Sequence, residues 1–179
     1  LVKRVTEEVL TIVRTDKDIQ SGNSKKAIEL VETKVLPHFN FLRMTSLAVG
    51  KDWNKASPEQ KKRLAKEFET LLVRTYSNAL TAYKSQTIVY KPLKMQPGDT
   101  DVLVRTEIRQ PGQQAVQLDY GVEKQDNGAW KVYDVVVAGI SLVTNYRETF
   151  AQEVRNGGID GLITTLADKN KQVDAKNEK

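Results

Sequence analysis

The chain has 179 residues, of which 39% are hydrophobic and 28% charged, a length and composition typical of one globular domain with a substantial core. It contains no cysteine and one histidine, which excludes disulfides and cysteine-based chemistry and argues strongly against a histidine zinc site. The net charge of +5 is a mild basic excess, typical of a solvated surface rather than of an anionic partner.

No apolar run approaches the roughly 18 residues of a membrane-spanning helix. The chain starts at Leu1 rather than at an initiator methionine. We therefore expect that an upstream segment has been removed, either as a secretion signal or by trimming of the sequence.

Helical spacing of apolar residues predicts three helical segments in the first 50 residues. The first covers Val2 to Val13. The second begins at the N-cap candidate Ser24 and ends or kinks at Pro37. The third is a short helix after His38 that Gly50 stops.

The stretch "ASPEQ" is the clearest helix start in the chain. Ser57 suits the N-cap, Pro58 the first helical position, and Gln60 the third position of a capping box. The helix that follows is strongly amphipathic and about 25 residues long by its apolar spacing.

Alternating apolar and polar residues then predict four strands, joined by turn residues. They are expected around residues 88–90, 102–108, 116–122 and 130–138, with "DNG" at 126–128 as a tight turn. Helices before and after such an antiparallel meander indicate the α+β class.

After Gly139, apolar residues return to helical spacing as far as Phe150, and "RNGGIDG" interrupts them. Ile159 to Leu166 form the last predicted helix. We therefore predict a single domain over residues 1–167, followed at 168–179 by a polar, disordered tail.

Few residues match motifs for catalysis, metal binding or nucleic-acid binding. "NGGIDG" lacks the lysine and the preceding strand of a phosphate-binding loop. His38 has no acidic partner at metal-ligand spacing, so we interpret it as structural. The basic run at 61–63 lies on a helix face without interleaved aromatics, which favours a solvated face over nucleic-acid binding.

Two carboxylates, Asp119 and Asp134, lie in neighbouring predicted strands, where paired carboxylates can act as acid and base. Alternation turns Asp119 away from Leu118 and Tyr120. It places Asp134 on one face with Val132 and Val136, and the other face then holds Tyr133, Val135 and Val137. Since this strand is apolar on both faces, we expect Asp134 to be structural and to need a hydrogen-bond donor.

The C-terminal third carries a family resemblance. "GAWKVYDVVVAGISLVTNYRETF" followed by "GGIDGLITTL" resembles the end of the bacterial toluene-tolerance family, the periplasmic phospholipid-binding component of the Mla lipid-transport pathway. The matching positions are Trp130, Tyr133, Asp134, Gly139, Ile140, Ser141, Gly157 or Gly158, Ile159, Asp160, Gly161 and Leu162. The Leu-Pro segment, the Gly-x-x-Trp element and "ASPEQ" resemble the family upstream.

The resemblance implies a periplasmic carrier, made with a signal peptide, that moves phospholipids between the two membranes of a Gram-negative cell. Its implied partners are the lipid-binding subunit of an inner-membrane ABC transporter and an outer-membrane lipoprotein–porin complex. It implies no catalytic residue, metal or cofactor, with phospholipid as cargo, and we expect a monomer. The expected fold is a four-stranded, twisted antiparallel sheet with helices on its concave face (an NTF2-like cone) and an apolar cavity between them.

The facing of the predicted elements, rather than any family motif, supplies the candidate lipid-binding residues. On the strands they are Val102, Val104, Leu118, Tyr120, Tyr133, Val135 and Val137. On the helices they are Phe68, Leu71, Leu72, Tyr76, Leu80, Leu142, Val143, Tyr146 and Phe150. Sequence alone does not separate residues that contact lipid from ordinary core.

Two other functions remain open at this stage. One is a small enzyme on a cone-shaped sheet that uses Asp119 or Tyr120 as acid or base on an apolar substrate. The other is an adaptor that binds proteins through an exposed apolar patch over a packed interior.

Overall fold

The computed structural model describes residues 2–17, 21–22, 24–76, 87–92, 96 and 98–177. It divides into two compact units. The sheet unit comprises Leu1–Asn40 and Ala79–Leu142, and the helical unit comprises Phe41–Asn78 and Val143–Lys179. None of the helices in the described ranges has both the length and the apolar character that a membrane crossing requires.

The sheet unit contains one antiparallel sheet in which each strand pairs with the next along the chain. Its strands are β1 (Thr87–Tyr90), β2 (Asp101–Arg109), β3 (Val116–Lys124), β4 (Trp130–Val137) and β5 (Ile140–Ser141). The α+β class is confirmed. The prediction of four strands is wrong, because the corner after β4 turns back and adds β5 to its edge.

The helices of the sheet unit follow the predicted apolar spacing. Helix α1 spans Val2–Thr15 and helix α2 spans Ser24–Leu30, followed by a π-helical turn at Val31–Val35 and a 3₁₀ turn at Leu36–His38. The buried residues Val9 and Val13 pack with Leu30 into a small apolar cluster. Pro37 lies in the 3₁₀ turn, where the predicted second helix ends.

A two-residue turn at Ala138 and Gly139 joins β4 to β5, since Val137 pairs directly with Ile140. Both turn residues have positive φ, 51° for Ala138 and 85° for Gly139. Two-residue hairpins favour this conformation because it matches the twist of the strands. Gly139 adopts it without strain, whereas the Cβ of Ala138 makes the left-handed conformation unfavourable.

Replacing Ala138 with asparagine should therefore stabilise the protein, by about 0.5–1 kcal/mol, because asparagine tolerates positive φ. Ala138 is exposed, so no packing is lost. Urea unfolding should show a higher midpoint with an unchanged slope. Gly139→Ala is the matched opposite change and should lower the midpoint; equal midpoints for all three proteins would contradict the turn assignment.

The helical unit contains α3 (Phe41–Val49), a 3₁₀ turn at Gly50–Lys55, and α4 (Pro58–Tyr76). Gly50, with φ of 74°, ends α3 as predicted. The capping box at the start of α4 is also confirmed: the Ser57 amide donates to Gln60 Oε1 at 2.8 Å, and the Gln60 amide donates to Ser57 Oγ at 3.2 Å. The rest of the predicted 25-residue helix lies outside the described residues.

The second part of the helical unit is a 3₁₀ turn at Thr144–Tyr146 and helix α5, Arg147–Asn177. The helix predicted directly after Gly139 is wrong, because β5 takes the residues that follow the glycine. Within α5, Gly158 has φ of 72° and ψ of −170°, so the helix breaks in the predicted "RNGGIDG" segment.

Helix α5 continues through the polar residues that we expected to form a disordered tail from residue 168. Asn170 is buried, and its Nδ2 donates to the backbone oxygen and to Oε2 of Glu67, at 3.0 and 2.7 Å. This contact with α4 ties the segment to the helical unit, so the predicted tail is helical as far as residue 177.

Candidate functional site

One face of the sheet is almost entirely apolar. The strand register places Val102 beside Val122 and Val104 beside Tyr120, and the same face continues onto β4 through Val135 and Val137. We define the apolar face by these members: Val102, Val104, Leu118, Tyr120, Val122, Val132, Val135 and Val137. Six of these members are candidates predicted from the sequence, and the structure brings them together within one unit.

Three valines form the buried centre of this face: Val122, Val132 and Val135. Phe39, Trp130 and Leu142 pack against them together with other members of the face. Phe39 is held there by backbone pairing, because the following amide, that of Asn40, donates to the Val132 oxygen at 2.9 Å. Burial of each of the three valines contributes roughly 1.5–3 kcal/mol.

A β-bulge in β4 alters the predicted alternation. Val122 pairs with Val132 and Gly121 with Asp134, so Tyr133 is an extra residue with no partner of its own. The prediction that put Tyr133 on the face of Val135, and Val132 on the other, is therefore wrong.

Tyr133 instead lies over Gly121 on the opposite face, where a Cβ on that glycine would come within 2.9 Å of its Cζ. Its hydroxyl donates to Asp101 Oδ1 at 2.7 Å. Burial, and then this carboxylate, raise the pKa of Tyr133 to about 12. Tyr133 therefore leaves the candidate set, and Val132 enters it.

The opposite face carries the polar groups that sequence inspection singled out. Gln117 Nε2 donates to Asp119 Oδ2 at 3.0 Å, and Ser141 Oγ contacts both carboxylate oxygens of Asp134 at 2.8 and 2.9 Å. The donor that a structural Asp134 needs is thus the serine of the Gly-Ile-Ser corner. Asp119 and Tyr120 point to opposite sides of β3, so they do not converge on one substrate as an acid–base pair.

Most of the helical candidates that belong to the helical unit are buried. Phe68 is fully buried, and its ring lies 5.5 Å from those of Tyr146 and Phe150, edge-on to both. Leu71, Leu72 and Val143 are also buried. Leu80 and the side chain of Tyr76 lie outside the described residues.

The candidates predicted from the sequence omit four residues of the sheet cluster centred on Val122, Val132 and Val135. These are Phe39, Trp130 and the valines Val122 and Val132 themselves. A signal for Val132 was present, because a glycine inside a strand, here Gly121, often marks a bulge in the pairing. Phe39 could not be found locally, since its contact with β4 joins residues that are far apart in sequence.

Among the described residues, no group of three or more histidine, aspartate or glutamate side chains could hold a metal ion. Burial, opposed in part by Glu8, lowers the pKa of His38 below its ordinary value of 6.5. The histidine is therefore neutral at pH 7 within its 3₁₀ turn, consistent with a structural role.

Comparison with known proteins finds relatives of this chain. The chain is 31% identical over 157 residues to the intermembrane phospholipid transport system binding protein MlaC of Haemophilus influenzae, covering 83% of this chain and 73% of that protein. It is 26% identical to the toluene tolerance protein ttg2D of Pseudomonas putida, over all of this chain and 86% of that protein.

A solved structure matches nearly the whole chain: the phospholipid-binding protein from Ralstonia solanacearum in complex with a phospholipid. It has a TM-score of 0.89 and 40% identity, and the match covers 97% of this chain and 96% of that one. The family model described as MlaC protein matches residues 3–168. The chain therefore belongs to the MlaC family.

Proposed function

We propose that this protein is a periplasmic phospholipid carrier that shuttles lipids between inner- and outer-membrane complexes by burying their acyl chains. The observation that carries the proposal is the match, at 40% identity over almost the whole chain, to a structure that contains a bound phospholipid. The apolar face of the sheet supports it from this chain's own residues.

The physical need for such a carrier follows from the cargo. A two-chain phospholipid has on the order of 30 methylenes, each costing about 0.8 kcal/mol in water, so its release into water costs roughly 25 kcal/mol. A carrier that offers an equally dry site makes transfer between proteins nearly neutral in free energy. The protein need only bury the chains and can leave the headgroup in water, so we expect broad headgroup tolerance.

In this proposal the acyl chains contact the apolar face and Leu142 in the sheet unit. In the helical unit the proposed contacts are Phe68, Leu71, Leu72, Val143, Tyr146 and Phe150. The cone shape of the sheet, a lipid cavity between sheet and helices, and contributions from Tyr76 and Leu80 remain predictions.

The proposed partners are the lipid-binding subunit of an inner-membrane ABC transporter and an outer-membrane lipoprotein–porin complex. In this proposal the basic excess of +5 serves docking on acidic partner surfaces or brief contact with anionic headgroups. The protein is proposed to act without catalysis and without a cofactor.

Purified protein should retain phospholipid, because an empty cavity large enough for acyl chains would be costly, about 24 cal/mol per Å³. Native mass spectrometry should show a species heavier than the 20.2 kDa polypeptide by the mass of a phospholipid, and solvent extraction should recover that lipid. Protein at the bare polypeptide mass, without extractable phospholipid and unable to take lipid from vesicles, would contradict the proposal.

A further inference from the structure

One polar group lies in the middle of the apolar face: the hydroxyl of Tyr120. This residue occupies the centre of β3, with Val104 of β2 on one side and Val135 of β4 on the other. It packs against the buried valine cluster of the face. Burial, and to a smaller degree the nearby Tyr90, raise its pKa to about 12, so at neutral pH the phenol keeps its proton and is a hydrogen-bond donor.

Other hydroxyl groups on the sheet have identified partners. Tyr133 donates to Asp101 at 2.7 Å, Tyr90 to Glu7 Oε1 at 3.2 Å, and Thr106 to the Leu118 carbonyl at 2.6 Å. The Tyr120 hydroxyl makes no hydrogen bond with any residue that the structure describes. Tyr120 is partly buried, and a phenol that lies among aliphatic side chains usually finds an acceptor.

The chemistry of the surroundings selects the kind of acceptor. An anionic phosphate would lose most of its hydration among Val104, Leu118 and Val135, whereas a neutral carbonyl oxygen loses much less. In a diacyl phospholipid the ester carbonyls lie where the acyl chains begin. They are the polar atoms that reach furthest towards an apolar surface when the chains are buried.

We propose that the Tyr120 hydroxyl donates a hydrogen bond to an ester carbonyl oxygen of the bound phospholipid, so that the protein prefers ester-linked to ether-linked lipids. This inference rests on the proposed carrier function. It adds one specific polar contact at the ester linkage to the hydrocarbon contacts of the apolar face.

The test compares two phosphatidylcholines with identical oleyl-length chains, one with ester linkages and one with ether linkages. Delipidated protein is loaded from vesicles that contain both in equal amounts, and the bound lipids are counted by native mass spectrometry. We expect the unmodified protein to carry about fivefold more ester than ether lipid, the size expected for one neutral hydrogen bond. Tyr120→Phe, which removes only the hydroxyl, should bind both lipids about equally.

Tyr133→Phe is the matched control, since it makes the same change on the opposite face and should keep the fivefold preference. An unmodified protein that carries both lipids without preference, or a Tyr120→Phe variant that keeps the preference, overturns the inference and leaves the carrier function standing. Failure of the unmodified protein to take up either lipid would instead contradict the carrier function itself.

Discussion

Replacing Val135 with glutamate is expected to abolish phospholipid retention. Val135 is buried at the centre of the apolar face, in the cluster with Val122 and Val132. A carboxylate there would be desolvated against acyl chains, at a cost of several kcal/mol whether it stays charged or takes up a proton. Lipid extracted from the purified variant should fall at least tenfold below that of the unmodified protein.

Leu103→Glu is the matched control for this change. Leu103 is 44% exposed, and the register of β2 turns it away from the apolar face, so its substitution should leave retention unchanged. Because Val135→Glu also threatens folding, Val135→Thr provides a second variant of similar shape that replaces one methyl with a hydroxyl and should reduce retention partially. If folded Val135 variants, verified by thermal unfolding, keep full retention, this part of the face does not bind acyl chains.

The local signals in the sequence were sufficient where the structure is governed by local interactions. The Ser57–Gln60 capping box lies within one helical turn, and the stop at Gly50 depends on one residue's φ. The same holds for the break at Gly158. In each case short-range sterics and hydrogen bonds link the residue type to its backbone conformation, so the neighbouring residues are enough to predict the local structure.

The misassigned features depend on pairing between distant residues. Strand β5 has two residues and exists only because Ile140 and Ser141 pair with β4. The helical continuation past residue 168 is stabilised by the bond from Asn170 to Glu67, about 100 positions earlier. Strand alternation failed at Tyr133 because a bulge adds one residue to β4 opposite Gly121, and a one-residue shift exchanges the faces.

The candidate site was predictable only in part for a related reason. Periodicity identifies which side chains share a face, and the structure agrees for Val102, Val104, Leu118 and Tyr120. It carries no information on whether an apolar side chain contacts another side chain or a bound acyl chain, because both are hydrocarbon contacts of similar energy. The ligand class therefore came from the family resemblance and not from the pattern.

The largest expected loss of stability in the helical unit follows from Phe68. This residue of α4 is completely buried, and its ring packs edge-on against those of Tyr146 and Phe150, each with a centroid separation of 5.5 Å. Such aromatic pairs contribute about 0.5–1.5 kcal/mol beyond the burial of their area. Removal of the ring would also leave a cavity that a helical core fills only partly.

Phe68→Ala should lower the free energy of unfolding by about 3–5 kcal/mol in urea titrations of delipidated protein. Delipidation is needed because bound lipid would add its own stabilisation to the folded state. Phe68→Leu keeps most of the volume and should lose much less, and Leu42→Ala, at a position 52% exposed, should change stability by no more than about 0.5 kcal/mol. A Phe68→Ala loss below about 1 kcal/mol would mean that the three rings do not form the core of this unit.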